Sequence, residues 1–147
     1  MKIETEKRQE WMATLAKADV KKLEKKVAEI GTLPQYEFIR PPEIGLTMVR
    51  GRAGGKGQVF NLGEITITRC AVKIEEIIGF GYVAGRSHRH AELAALCDGL
   101  MQLPEWSGIV QSVVIEFLTA EANQKKELQH LQTEATKVNF FTLARES

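Results

Sequence analysis

The stretch Ile44–Met101 limits the fold of this chain more than any other part of its 147 residues. Its run Glu64–Ile74 is rich in β-branched residues and alternates between two faces, with Ile65, Ile67 and Ala71 on one and Thr66, Thr68 and Val72 on the other, which is typical of a strand. The run Ile77–Ala84 follows closely and contains Gly79 and Gly81, where a strand allows another backbone to approach. Short connections between such runs favour antiparallel neighbours, so the stretch predicts a meander with a helix behind it.

Amphipathic segments before and after this stretch predict the helical part of the fold. We expect N-terminal helices over 5–30, further helices over 87–137 and an apolar terminal segment at 138–143. A strand over 35–40 should end at Pro41 and Pro42, because proline cannot donate a ladder hydrogen bond in a central strand. Val113–Leu118 is consistent with either strand or helix. We predict one α+β domain over 1–147, with a mainly antiparallel sheet of four or five strands over 35–84.

Composition excludes several classes of protein. The chain has 20 Lys and Arg against 19 Asp and Glu, and the resulting net charge of +1 argues against a nonspecific nucleic-acid binder. Its two cysteines, Cys70 and Cys97, form no CxxC pair, which favours reduced thiols in a cytoplasmic protein. No apolar run resembles a signal peptide or approaches the roughly 18 residues of a spanning helix, so we expect no membrane association.

Catalytic and metal-binding patterns are absent from the sequence. No nucleophile–base arrangement and no acid–base carboxylate pair is readable, and both cysteines lie at apolar positions where thiols are inert. His88, His90 and Glu92 resemble a metal-binding fragment, but two histidines at i and i+2 of a helix diverge. We therefore expect no metal and no cofactor. The same polar residues follow Ser87, the expected N-cap of a helix whose start is also suited to an anion.

Arginine and glycine dominate the candidate contacts to a substrate or a partner. Six arginines lie between positions 40 and 89, and arginine suits bidentate contacts with carboxylates and phosphates. The loop Gly51–Gly57 lacks the P-loop pattern, so it is either a flexible hairpin turn or a nest of N–H groups for a phosphate. The candidates are Arg50, Arg52, Gly54, Gly55, Gly57, Arg69, Arg86 and His90.

Three of these arginines, Arg52, Arg69 and Arg86, are expected to lie near one face or edge of the sheet. Few acids occur in the same stretch, so the neutralising anions should come from elsewhere. We expect carboxylates of a partner subunit, with substrate phosphate as the second source. Trp11, Phe140 and Phe141 are the apolar candidates for a partner interface; the alternative for the phenylalanines is the core. An isolated chain with such surfaces is expected to self-associate.

Several segments, taken in order, resemble one family, PhnG, a component of the carbon–phosphorus lyase system for phosphonate breakdown. The resemblance covers nearly the whole chain. Its segments include Arg8-Gln-Glu-Trp-Met12, Tyr36-Glu-Phe-Ile-Arg40, Arg52-Ala-Gly-Gly-Lys-Gly57, Gly63-Glu-Ile-Thr-Ile-Thr-Arg69, His90-Ala-Glu92 and Val138-Asn-Phe-Phe141.

The resemblance implies an accessory subunit beside PhnH, PhnI, PhnJ and PhnL. With PhnH, PhnI and PhnL it would help to make α-D-ribose 1-methylphosphonate 5-triphosphate from ATP and methylphosphonate, with release of adenine. It implies no catalytic residues of the chain's own. Two alternatives stay open: a subunit that also contacts the triphosphate through its arginines and glycine loop, and a stand-alone anion-binding module.

Overall fold

The structure is a computed structural model that describes residues 5–52 and 59–146, with side chains described over 5–48 and 63–133. Within these ranges the chain forms an α+β fold. In order, the elements are α1 (Thr5–Ala16), α2 (Val20–Ile30), β1 (Glu37–Arg52), β2 (Val59–Ile74), β3 (Ile77–Ala84), α3 (His88–Met101), α4 (Pro104–Val110), a π-helical turn (Gln111–Ile115) and α5 (Glu116–Glu146).

The sheet has three strands in the described residues, in the order β1-β2-β3, with both pairings antiparallel. The antiparallel meander is confirmed, whereas the expected four or five strands are not, because β1 and β2 are each 16 residues long. Pro41 and Pro42 do not end β1. They lie on an edge strand at a shift of register between Arg40 and Glu43, where the missing N–H groups cost little.

Helical ends agree with the capping residues expected from the sequence. The carboxylate of Asp19 accepts hydrogen bonds from the backbone N–H groups of Lys21 and Lys22 at the start of α2. Ser87 caps α3 by accepting from the N–H of His90. The ambiguous segment 113–118 is helical, since it runs from the π-helical turn into α5. Among the described residues, no helix has the length and apolar character needed to cross a membrane.

One face of the sheet is covered by α3. The side chains of Thr68, Cys70, Val72 and Ile74 on β2 are at most 2% exposed, as is Val83 on β3. They pack in a core with Leu96 and Leu100 of α3 and with buried residues of the other helical segments, including Leu15, Leu23, Val110 and Val114. All of these helical residues lie on the same side of the sheet as α3, in a single continuous core.

Close contact between α3 and β3 depends on glycine. A Cβ atom added to Gly81 would lie 2.7 Å from the backbone nitrogen of Ala95, and one added to Gly79 would lie 2.6 Å from that of Gly99. Real Cβ atoms do not approach backbone atoms this closely, so both positions admit only glycine at this spacing. The close backbone approach predicted for these two glycines is confirmed.

The carboxylate of Asp98 joins three elements inside the protein. Its side chain is fully buried on α3. It accepts hydrogen bonds from Arg8 (Nε at 3.2 Å and Nη2 at 2.9 Å) and from the indole Nε1 of Trp11 at 2.7 Å, both on α1. It also accepts from the backbone N–H of Phe80 at 2.9 Å, on the free edge of β3. This buried charge is therefore both paired and hydrogen-bonded, as burial requires.

We predict that Gly81→Ala destabilises the protein by about 3 kcal/mol or more, because α3 must move away from β3 to admit the methyl group. Gly45→Ala is the matched control, since a Cβ at this strand glycine meets no atom within 4 Å. Urea unfolding of the two variants measures the difference. Equal stability of Gly81→Ala and Gly45→Ala would contradict the packing described above.

Asp98→Ala should cost about 3–5 kcal/mol of unfolding free energy, because Arg8 and the Trp11 indole lose their buried acceptor. Glu121→Gln provides a control, since it removes the more exposed pair between Glu121 and Lys22, whose atoms are 2.7 Å apart. That variant should unfold close to the wild-type midpoint. A midpoint for Asp98→Ala as high as that of Glu121→Gln would show that the buried carboxylate contributes little.

Candidate functional site

Within the part of the chain that the structure describes, the face of the sheet opposite α3 is uncovered; it forms the candidate site, which we call the open face. In β2 it carries Arg69 and Ala71, whose cross-strand partners in β3 are Tyr82 and Phe80. Its large apolar side chains are between 37% and 52% exposed; they are Ile39, Ile65, Ile78, Phe80 and Tyr82. An antiparallel sheet with one solvated face normally carries polar residues there. A cluster of apolar residues instead marks a surface for a partner.

A groove of about 330 Å³ crosses the open face. Its floor includes Ala71, which is 4% exposed. Its apolar walls come from neighbouring strands on both sides, with Ile39 on β1 and with Phe80 and Tyr82 on β3; Cys70 also contributes to the lining. Two guanidinium groups, those of Arg40 and Arg69, complete the groove. The groove thus combines apolar and aromatic side chains with two cationic ones.

One carboxylate serves both of these arginines. Glu43 lies opposite Arg69 in the β1–β2 register, and its Oε1 accepts a hydrogen bond from Arg69 Nε at 2.7 Å. The Nε of Arg40 is 3.8 Å from the same oxygen. All three side chains are about half exposed, between 43% and 50%. Exposed pairs of this kind contribute little to stability, so the arrangement suits contact better than folding.

The expected cluster of Arg52, Arg69 and Arg86 is not formed. Arg52 pairs with Val59 at the far end of β1, ten residues along β2 from Arg69, which corresponds to roughly 30 Å of strand. Arg86 is exposed after β3 and has no ion pair in the described part of the chain. Arg69 finds its carboxylate on the adjacent strand rather than outside the chain, and the arginine beside it is Arg40.

Two predicted site residues lie in the core. The side chain of Trp11 is 7% exposed and donates to Asp98, so little of its surface remains for a partner. His90 is 8% exposed, and its Nε2 donates to the backbone carbonyl of Leu15 at 2.8 Å. That carbonyl belongs to the last turn of α1, where carbonyl groups have no N–H partner within the helix; the backbone N–H of Ala18 also donates to it, at 3.4 Å. His90 therefore joins α3 to α1.

For the remaining predicted residues, the structure describes either no atoms or the backbone alone. Gly54, Gly55 and Gly57 belong to the segment 53–58. Arg50, Phe140 and Phe141 have described backbone, the first in β1 and the others in α5, but their side chains lie outside the described residues.

Sequence reasoning missed Ile39, Arg40, Phe80 and Tyr82 as members of the site. A signal for two of them was present in Gly79-Phe-Gly-Tyr82. Because side chains alternate across a strand, glycines that face a helix place the intervening aromatic residues on the opposite face. The face of Arg40 could not be predicted, because it depends on the register shifts on either side of this residue.

Catalytic groups are not evident among the described residues. No group of three or more His, Cys, Asp or Glu in this part of the chain is arranged to hold a metal ion. Burial raises the pKa of the Cys70 thiol to about 11. Burial, with a smaller effect from the Asp98 charge, raises the pKa of Cys97 to about 12. Neither thiol is a nucleophile near neutral pH.

Comparisons of the chain with a family model and with a known protein agree on one family. The family model described as phosphonate metabolism protein PhnG matches residues 6–146. A protein of Rhizobium meliloti (strain 1021), named alpha-D-ribose 1-methylphosphonate 5-triphosphate synthase subunit PhnG, is 38% identical over 142 residues. The match covers 94% of this chain and 88% of the relative.

We predict that both thiols resist alkylation by iodoacetamide at pH 8 in the folded protein. With the pKa of Cys70 at about 11, only about 0.1% of this thiol is ionised at that pH, against roughly a quarter of an ordinary cysteine. Because the folded-state pKa values are raised, reactivity should increase only as the pH approaches 11. Mass spectrometry with and without urea tests this; rapid labelling of the folded chain at pH 8 would contradict it.

Proposed function

The chain belongs to the PhnG family of phosphonate metabolism proteins, and from this premise we propose that it is an accessory subunit of a ribose 1-methylphosphonate 5-triphosphate synthase. It contributes no catalytic residue of its own. Its role is to bind and hold the other subunits while ATP and methylphosphonate are joined and adenine is released. The R. meliloti relative, which is named as a subunit of that synthase, supports this role.

Within this proposal the partners are subunits of the PhnI, PhnH and PhnL types, with PhnJ acting in the same system. The cytoplasm is the proposed location. Two unpaired, buried cysteines support it, because reducing compartments keep such thiols free.

The open face is the observation that carries the proposal. Its five large apolar side chains are 37–52% exposed to solvent. The buried helical residues of the core pack on the other side of the sheet and therefore do not cover them. Covering this face would remove apolar area from water, which is the main driving force of stable association. Tyrosine at position 82, 48% exposed, is of the residue type that most often anchors interfaces.

Direct contact with the triphosphate is the second candidate function. The sequence from Val49 to Gly63 contains Arg50, Arg52 and Lys56 and no acidic residue. A cationic segment of this kind, which runs from the end of β1 to the start of β2, suits a polyphosphate as well as a protein. In that case Arg52→Ala would assemble normally but lose synthase activity.

We predict that Tyr82→Ser weakens binding to the remaining synthase subunits roughly thirtyfold or more, because an interface anchor is lost. Ile109→Ser is the matched control. Ile109 lies in α4 and is 40% exposed, so its replacement removes a comparable side chain away from the open face. Both variants should keep the wild-type unfolding midpoint.

Affinity is measured by co-purification and by titration of the tagged chain into the other subunits. Adenine release from ATP and methylphosphonate is then compared with and without the chain. The subunit mixture should need the wild-type chain, and the chain alone should release no adenine. Adenine release by the isolated chain, or equal binding of the Tyr82→Ser and Ile109→Ser variants, would refute the role proposed for the open face.

A further inference from the structure

We propose that the groove on the open face receives a carboxylate side chain of a partner synthase subunit, held by Arg40 and Arg69. This inference rests on the proposed function and makes it more specific, since it names the chemical group that the partner must present. It follows from the count of charges on the open face, from the hydrogen-bond donors left unused in the groove and from the apolar and aromatic side chains around them.

The two guanidinium groups are incompletely satisfied within the chain. Glu43 meets both of them through the same oxygen, Oε1, and it meets both at Nε. Among the described residues, neither arginine makes a hydrogen bond through its Nη atoms. A guanidinium has five N–H donors in a planar fork, of which four are on the Nη atoms. Most of the donors of Arg40 and Arg69 are therefore available to an acceptor entering the groove.

The charges of the open face do not cancel. Arg40 and Arg69 share the single negative charge of Glu43, which leaves one positive charge over. The other charged residues that register places on this face are Glu37 and Lys73, which lie opposite each other and balance. In water, an excess positive charge on half-exposed side chains costs little. Under a partner it would be removed from solvent, which is costly unless an anion accompanies it.

The groove favours a carboxylate over a phosphate. One excess positive charge matches one carboxylate, whereas a triphosphate carries several negative charges that this excess does not neutralise. Glu43, paired with Arg69 beside the groove, repels such a polyanion more strongly than a single carboxylate. The walls formed by Ile39, Phe80 and Tyr82 are apolar or aromatic. Such walls fit an acidic residue set among apolar neighbours on a protein surface.

The test uses Arg40→Gln and Arg69→Met, with Arg86→Gln as the control at an exposed arginine away from the groove. Each groove variant should bind the remaining synthase subunits roughly thirtyfold more weakly than the wild type, because the partner's carboxylate would be buried without its cation. Arg86→Gln should bind normally. Unfolding midpoints of all three should stay near the wild-type value, since exposed ion pairs stabilise a fold little.

Glu43→Gln distinguishes direct contact of Arg69 with the partner from an effect of Arg69 that acts through Glu43. It removes the carboxylate that competes for both arginines, so its affinity for the other subunits should equal or exceed that of the wild type. If Arg69 acted only by holding Glu43, then Glu43→Gln would weaken binding as much as Arg69→Met does. That result would overturn the inference.

Two further results would overturn it in distinct ways. Calorimetric titration of the isolated chain with inorganic triphosphate tests the phosphate source, and binding that disappears in Arg40→Gln would assign the groove to phosphate. Normal subunit binding by both arginine variants, together with loss of binding in Tyr82→Ser, would leave the open face as the interface but refute the carboxylate. Failure of the wild-type chain to join the other subunits would instead refute the proposed function itself.

Discussion

The buried carboxylate of Asp98 fixes how the helices meet the sheet. Its acceptors are occupied by Arg8 and Trp11 of α1 and by the backbone N–H of Phe80 in β3. A lone charge in the interior would be prohibitively unfavourable, so this carboxylate is stable only when α1, α3 and β3 are all in place. The bond to Phe80 also occupies a donor on the free edge of β3, an edge that would otherwise be open to pairing with another strand. One side chain thus connects the helical layer and closes part of a sheet edge.

Glycine determines which face of the sheet the helices take. At Gly79 and Gly81 the backbone of α3 approaches β3 more closely than any side chain would allow. Because side chains alternate along a strand, Phe80 and Tyr82 then point to the other face. The helical core of the described residues lies on the glycine side, so no helix in this part of the chain covers the aromatic side. The open face is therefore the surface of this two-layer arrangement that is left for a partner to cover.

The limits of prediction from this sequence are physical. Capping by Asp19 and Ser87, and the close approach at Gly79 and Gly81, depend on local chemistry and were predictable. The number of strands was not predictable. A proline pair is compatible with a continuous strand only at the edge of a sheet, and β1 is identified as an edge strand only by the order of the strands in the structure. Arg69 appeared to lack a partner because its carboxylate, Glu43, lies 26 residues away and becomes a neighbour only through the β1–β2 register. Trp11 resembled an interface residue because its true partner, Asp98, is 87 positions distant.

Folding and docking meet at Phe80. Its backbone N–H binds Asp98, while the guanidinium carbon of Arg8 lies 5.8 Å from the centre of its ring. The hydrogen bond from Arg8 to Asp98 raises the pKa of the arginine, a side chain that is already protonated near neutral pH. The ring forms a wall of the groove. The backbone that carries this ring is fixed by the same buried carboxylate that assembles the core. A wall fixed before the partner arrives loses little freedom on binding, which reduces the entropic cost of association. The stability of the chain's own core and the shape of the face it offers to a partner thus depend on the same interaction.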